Sequence, residues 1–241
     1  MTKKFDYYHV DCGHFPAQIK LCFSNETFQK VLRDHDIVAK ATPDGHTLVM
    51  AVSSAFGINP TLYTRIPYDA IRDFDPIINL ALTPQTLVAS VSAPFKTLQE
   101  FVAYAKDKPV NYASLGSGST SHLTTEMFRA VAGIKLNHVP FKGSADAHTQ
   151  LMGGQIPIMH DAIPATLPHI KSGKLRALGQ TGLKRSAAAP DIPAIAETIP
   201  GYECAISYGV FLPAGAPPAL VDRLHAAVDE TIRSPEVARK F

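Results

Sequence analysis

Short apolar runs alternate with segments of helical length along most of the chain after residue 46. Apolar runs bounded by turn-forming residues are typical of strands, and apolar positions three or four residues apart are typical of helices. The pattern predicts strands at Thr47–Val52, Pro76–Leu82, Thr86–Val91, Val110–Ser114, Leu136–Val139, Ile156–Met159, Leu175–Thr181 and Ile206–Leu212. It predicts helices at Leu98–Lys106, His122–Ala132, Ala145–Met152, Pro164–Lys171 and Pro217–Ile232. This spacing indicates an α/β protein of parallel β–α–β units, with sites beyond the carboxyl ends of strands.

The composition is typical of a folded protein and excludes several other classes of protein. The 241 residues are 46% hydrophobic and 18% charged, which supports a core and argues against disorder. Lys and Arg (23) nearly balance Asp and Glu (21) without a basic run, so no nucleic-acid partner is expected. Three cysteines do not form a disulfide framework, although one pair could still form. No apolar stretch approaches the roughly 20 residues of a membrane helix. The first 30 residues do not resemble a signal peptide, because charged residues interrupt any apolar run.

The most informative segment, residues 111–122 (NYASLGSGSTSH), runs from a predicted strand through a loop of small residues into a predicted helix. An anion in this loop would meet hydroxyl groups, backbone N–H groups and the positive end of the helix dipole. A phosphate-binding P-loop needs a lysine after the glycines, and a dinucleotide site needs a glycine where Ser121 stands, so both nucleotide motifs fail. The alternative is that the hydroxyls only cap the helix. The predicted ligand-binding residues of the loop are Gly116, Ser117, Ser119, Thr120 and Ser121.

Four more residues follow predicted strands and are candidates for the same kind of contact. Lys142 could meet a second carboxylate, or it could lie in solvent. Ser53 and Ser54 offer hydroxyls after the first clear strand. Asp161 could orient a hydroxyl or amino group of a ligand, or it could cap the helix that follows.

Catalytic and metal-binding patterns are weak. Adjacent residues such as Ser121 and His122 point in different directions on a helix, which does not suit a nucleophile and its base. No nucleophile-elbow motif is present, and the ten histidines show no zinc spacing, so no cofactor or metal is expected. The enzyme alternative is an α/β enzyme acting on a carboxylate or acyl substrate, with a serine of the loop as nucleophile. Its candidate bases are His122, His138 and His160.

Between residues 38 and 241, a series of short motifs occurs in the same order as in a known protein family. They are ATPDGHTL (41–48), INP (58–60), PYD (67–69), DFDP (73–76), NYAS (111–114), TSHL (120–123), VPFKGS (139–144), GGQ (153–155), HIKSGKLRAL (169–178), PDIP (190–193), FLPAG (211–215) and SPEV (234–237). In these motifs the chain resembles the Bug-type solute receptors, the substrate-binding proteins of tripartite tricarboxylate transporters.

The resemblance implies a two-lobed periplasmic-binding-protein fold of the type II, Venus-flytrap kind, with the ligand in an inter-lobe cleft. Lobe 1 would comprise residues 38–98 and 205–241, and lobe 2 residues 99–204. The implied ligand is a small carboxylate: a di- or tricarboxylate, an acidic amino acid or an aromatic acid, held by loop amides, hydroxyls and water. Ser53, Ser54, Asp161 and Ser207 would then face the cleft. The implied protein is a monomer without enzymatic activity, whose closed form is read by membrane subunits of the transporter.

Residues 1–37 depart from the family pattern. Family members begin with an export signal and then a first strand that leads into a Gly-Gly loop, part of the ligand site, whereas Gly13 is the only glycine here before Gly45. We therefore expect an atypical first segment, a first lobe without its first parallel strand, and weak binding. The resemblance implies the periplasm, and the missing signal leaves two alternatives: a start codon upstream of Met1, or a non-exported relative that acts in the cytoplasm as a sensor.

Overall fold

The structure is a computed structural model that describes residues 8–10, 19–23 and 28–238, with side chains described for residues 34–237. The strands are β1 (Tyr8–Val10), β2 (Ile19–Phe23), β3 (Thr47–Val52), β4 (Phe74–Ser90), β5 (Val110–Ser114), β6 (Leu136–Pro140), β7 (Ile158–Ala162), β8 (Leu175–Gln180) and β9 (Ala205–Pro213). The helices are α1 (Phe28–Ala39), α2 (Asn59–Leu62), α3 (Leu98–Asp107), α4 (Thr120–Ala132), α5 (Ser144–Met152), α6 (Ile163–Lys171), α7 (Pro218–Arg233) and α8 (Pro235–Ala238). A π-helical turn at Ser54–Ile58 and a 3₁₀ turn at Ile195–Glu197 complete the elements.

The chain forms two compact units. Unit 1 consists of Met1–Ala81 and Ser207–Phe241, and unit 2 of Leu82–Ile206. The first boundary between the two units falls inside β4 rather than after residue 98. The reason is that the second half of β4 pairs with β7 and β8 of unit 2. The α/β class predicted from the sequence is confirmed.

Unit 1 is built on a mixed sheet in the order β1-β2-β3-β9-β4. β2 runs parallel to β3, while β1–β2 and β3–β9 are antiparallel pairs. The expectation that a parallel strand is missing before residue 38 is therefore wrong. Residues 24–27, which follow β2, lie outside the described residues, so the expectation that the family's ligand loop is missing and binding is weak stays a prediction.

Unit 2 has a sheet in the order β8-β4-β7-β5-β6 with helices on both faces. β5 is parallel to β6 and β7, as predicted, but β4 is antiparallel to β7 and β8. One face packs Leu87, Tyr112 and Phe128 of α4, and the other packs Val88, Met159 and Leu151 of α5. The alternation of side chains along each strand thus serves two cores.

Helix ends in unit 2 follow local sequence signals. The Thr97 hydroxyl accepts a hydrogen bond from the Glu100 N–H and caps α3. α4 ends at Gly133, whose φ of 62° is in the left-handed region that glycine adopts most readily. Within the described residues, no helix has the length and apolar character needed to cross a membrane.

Candidate functional site

Three loops of unit 2 meet at one edge of its sheet. β5, β6 and β7 are parallel, and Ser114 is paired with Pro140 while Ala113 is paired with Met159. Parallel strands in this register place their carboxyl ends side by side. The loop after β5, the loop before α5 and Asp161 at the end of β7 therefore lie along the same edge, as the sequence pattern predicted.

The loop after β5 turns sharply into α4 on two glycines in the left-handed region. Gly116 has φ 116° and Gly118 has φ 79°, a conformation that other residues adopt only with strain. Ser119 closes the turn: its hydroxyl donates to the Gly116 carbonyl (2.7 Å) and accepts from the His122 N–H (3.3 Å). The Ser121 hydroxyl accepts from the Leu115 N–H (2.9 Å).

These bonds show which groups of the loop are already used. The hydroxyls of Ser119 and Ser121 hold the loop, and that of Ser119 also caps α4, which is the contact of the capping alternative. The N–H groups of Thr120 and Ser121, in the first turn of α4, have no acceptor within the helix. Those amides and the half-buried Thr120 hydroxyl are the groups that an anion could use. The binding role of the loop stays a prediction.

Two stacked imidazoles lie against the loop. The rings of His122 and His138 lie 4.0 Å apart at 16°, and the Tyr112 ring stacks on His138 at 5.0 Å. His122 Nδ1 accepts from the Gly118 N–H (3.2 Å), and His138 Nε2 lies 2.5 Å from the Ser114 hydroxyl. Partial burial lowers the pKa of both histidines. A neutral His122 keeps the lone pair that the Gly118 bond requires.

His160 ties α4 to the sheet from inside the core. It is fully buried, and its Nδ1 lies 2.9 Å from the Thr125 hydroxyl. That hydroxyl donates its single proton to the Ser121 carbonyl (2.7 Å), so His160 must be the donor at Nδ1. Burial lowers the pKa of His160 to about 3. The first turn of α4 is thus fixed by a neutral histidine that the sequence pattern could not place.

Asp161 is buried under α5. Its Oδ1 accepts from the Ala162 N–H (2.8 Å), and its Oδ2 accepts from the Ser144 hydroxyl (2.7 Å). His148 Nε2 lies 3.2 Å from Oδ2, without the alignment of a hydrogen bond. Asp161 does not cap α6, which begins after Ala162. Its carboxylate is thus already engaged by the start of α5, and its contact with a ligand stays a prediction.

The enzyme alternative finds no matching pair in the described structure. No hydrogen bond joins the hydroxyl of Ser119 or Ser121 to an imidazole among the described residues. The serine that does meet an imidazole is Ser114, which is fully buried. No group of three metal-binding side chains occurs in the described part of the chain.

In unit 1, Ser53 and Ser207 line one open cavity of about 740 Å³. Ser207 contacts Asn79 at 3.0 Å, and the stacked rings of Phe56 and Phe211 form part of the wall. Ser54 is instead buried at the start of the π-helical turn. In unit 2, Lys142 is exposed, in keeping with the solvent alternative.

Several supporting residues were not identified from the sequence. They are Asn79, Ser114, Thr125, Ser144 and His148. Asn79, Ser144 and His148 each contact a predicted residue that is distant in sequence. Ser114 and Thr125 contact the loop locally but also join it to the distant residues His138 and His160. A single sequence carries no signal for the distant contacts.

Comparisons with known proteins bear on the family and the fold of the chain. Residues 30–241 match the family model described as "Tripartite tricarboxylate transporter family receptor". The chain is 35% identical over 206 residues to the "UPF0065 protein in tcbD-tcbE intergenic region" of Pseudomonas sp. strain P51, which covers 84% of this chain and 61% of that protein. The chain therefore spans less than two thirds of that relative.

Two solved structures from Rhodopseudomonas palustris are similar to this chain. Rpa4515 with adipate is 32% identical with a TM-score of 0.82, and the match covers 87% of this chain and 71% of that one. MatC with bound malate is 30% identical with a TM-score of 0.75, and the match covers 86% and 71%. The α/β fold described above is thus that of solute-binding proteins of this type.

Proposed function

Because the chain belongs to the tripartite tricarboxylate transporter receptor family, we propose that it binds a small carboxylate as the receptor of such a transporter. The proposal includes residence in the periplasm and recognition of the loaded receptor by membrane subunits. Relatives at 32% and 30% identity hold adipate and malate, which supports a carboxylate as the class of ligand.

One observation carries the proposal: hydrogen bonds within the loop at Gly116–Ser121 fix its turn, and we propose that this turn forms a cradle for an anion. Its turn is closed by Ser119, and its base is fixed by His122 and His160 through the bonds described above. The first N–H groups of α4 are therefore already in place before an anion binds, so binding requires little loss of conformational entropy. Partial positive charge at a helix N-terminus favours a carboxylate there.

The predicted binding residues have unequal support. Thr120 and the amides of the first turn of α4 are proposed to contact the carboxylate directly, while Ser119 and Ser121 position them. Ser53 and Ser207 are proposed contacts from unit 1, and Lys142 supplies positive charge near the edge of the sheet. Ser54 and Asp161 are buried, so we propose supporting roles for them.

Thermal unfolding with a panel of acids tests the proposal. The chain has no Trp, so a dye that senses exposed apolar surface is the appropriate reporter. A ligand at ~100 times its Kd adds about 2.7 kcal/mol to the free energy of unfolding, which raises Tm by roughly 5–10 °C for a chain of this size. Succinate, adipate, malate, citrate, glutamate and benzoate form the panel. If none of them raises Tm, the carboxylate-receptor function is wrong.

A pair of glycine variants tests the site itself. Gly116→Ala forces a side chain into φ 116° inside the loop, and Gly133→Ala does the same at φ 62° at the other end of α4. Both variants should lose stability, Gly116→Ala more than Gly133→Ala because φ 116° lies further from the left-handed conformation that other residues can adopt. Only Gly116→Ala should weaken carboxylate binding, by at least about tenfold, because it displaces the amides of the cradle. Equal affinities of the two variants would place the site elsewhere.

A further inference from the structure

Three buried polar atoms of unit 2 form no hydrogen bond with the described residues. They are Nε2 and Oε1 of the Gln85 side chain and Nε2 of His160. Both side chains are 0% exposed. A buried amide or imidazole atom without a partner costs free energy, and folded proteins rarely leave that cost uncompensated.

The side chains of Gln85 and His160 lie on the same face of the sheet. β4 and β7 are antiparallel, with Gln85 opposite Ala162 and Leu87 opposite His160. Opposite residues point to the same face, and so do residues two positions apart along a strand, so Gln85 and His160 are diagonal neighbours. Diagonal neighbours lie roughly 7–8 Å apart, a separation that long side chains can bridge. One small molecule can therefore join their polar ends.

α4 contacts His160 directly and is linked to Gln85 through two further residues. The Thr125 hydroxyl of α4 lies 2.9 Å from His160 Nδ1. The Gln85 N–H donates to the Thr181 hydroxyl (2.8 Å), and that hydroxyl donates to the Cys204 carbonyl. The Cys204 sulfur lies 3.0 Å from a threonine hydroxyl of α4. The space beside the two side chains is thus inside unit 2 and next to polar groups.

We propose that one water molecule is bound between the side chains of Gln85 and His160. The His160 ring donates from Nδ1, so its Nε2 is an acceptor, while the Gln85 amide offers a donor at Nε2 and an acceptor at Oε1. The water oxygen accepts from Gln85 Nε2–H, and its two protons are donated to Gln85 Oε1 and His160 Nε2. Three hydrogen bonds are typical of a buried water, and these three satisfy every atom named above.

The water connects β4 to β7 and, through His160 and Thr125, to the first turn of α4. It lies inside unit 2, so the inference does not depend on the proposed carboxylate-binding function.

A crystal structure of the full chain, at a resolution that shows ordered water, tests the site directly. We expect density for one water oxygen within about 3.2 Å of the Gln85 amide and of His160 Nε2. Direct contact between the two side chains, a space without density or a different occupant would overturn the proposal.

A double-mutant cycle tests the same link in solution. Gln85→Met and His160→Met each keep an unbranched or flexible apolar side chain in place of one partner of the water. In urea titrations at about pH 7.5, each single variant should raise the unfolding equilibrium constant at least about fivefold, because the other buried atoms lose their partner. The double variant should raise it at least about fivefold less than the product of the two single effects.

The matched control combines Gln85→Met with His225→Met, which replaces an exposed histidine of α7 in unit 1. The effects in this control should multiply to within about twofold, because the two residues share no partner. Effects that also multiply in the His160 cycle would show that Gln85 and His160 share no water. A Gln85→Met variant as stable as the natural protein would show the same.

Discussion

Acid should destabilise this protein through His160, and the size of the effect follows from its burial. The side chain is fully buried, and its pKa is lowered from 6.5 to about 3. Below pH 6.5 the unfolded chain binds a proton at this site that the folded chain does not, so stability is complete above that pH and declines as pH falls. The loss is about 1.4 kcal/mol per pH unit, or about 2 kcal/mol at about pH 5.

Replacing the imidazole should remove this part of the pH dependence. In His160→Met the Thr125 hydroxyl keeps its bond to the Ser121 carbonyl, and an unbranched apolar side chain can pack against Phe128. The variant should therefore lose about 2 kcal/mol less than the natural protein between about pH 7.5 and about pH 5. His225→Met, at an exposed position of α7, is the matched control.

Urea unfolding followed by far-UV circular dichroism at several pH values measures the effect. The natural protein and the His225→Met control should show the steeper decline of unfolding free energy with acid, and His160→Met the shallower one. If all three proteins lose stability in parallel, the acid sensitivity does not come from His160, and its burial as a neutral group is refuted.

Two further predictions concern other buried hydrogen bonds. Gln180→Leu removes the side-chain hydrogen bonds to the carbonyls of Ala189 and Ile192 and from the Ser186 N–H. The variant should lower the free energy of unfolding by about 2–4 kcal/mol in urea titrations. A loss below about 0.5 kcal/mol would contradict the stabilising role of these bonds. His122→Phe preserves a ring for stacking but leaves the Gly118 N–H without its acceptor. The variant should weaken carboxylate binding several-fold in calorimetry. Unchanged affinity would show that His122 does not contribute to the proposed anion site.

Local signals in the sequence were sufficient for most elements. β3, β5 and α3 were predicted within about one residue at each end, because apolar periodicity and capping residues act over a few neighbouring positions. α1 was missed, although Phe28, Val31 and Leu32 are apolar residues at the spacing of one helix face. The predicted strands at 76–82 and 86–91 are one strand, since Pro84 does not interrupt β4 and pairing with β7 begins only at Gln85.

The sequence did not predict the direction of every strand or the residues that hold the candidate site in place. An apolar run predicts a strand but not whether it pairs parallel or antiparallel, and β4 was therefore assigned to parallel units in error. The loop at Gly116–Ser121 was identified because its residues are consecutive. The contacts of Ser114 with His138 and of Ser144 with Asp161 join residues that are distant in sequence, so they depend on the completed fold.

The order of strands has a consequence for synthesis on the ribosome. Unit 2 is continuous from Leu82 to Ile206, so all of its residues are synthesised before residues 207–241 of unit 1. In the sheet of unit 1, β9 lies between β3 and β4 and is the last of the described strands to be made. Until residues 207–213 leave the exit tunnel, β3 and β4 lack the neighbour that joins them, and their edges are open to other chains. Unit 2 can therefore fold during translation, whereas unit 1 must wait for its final strand.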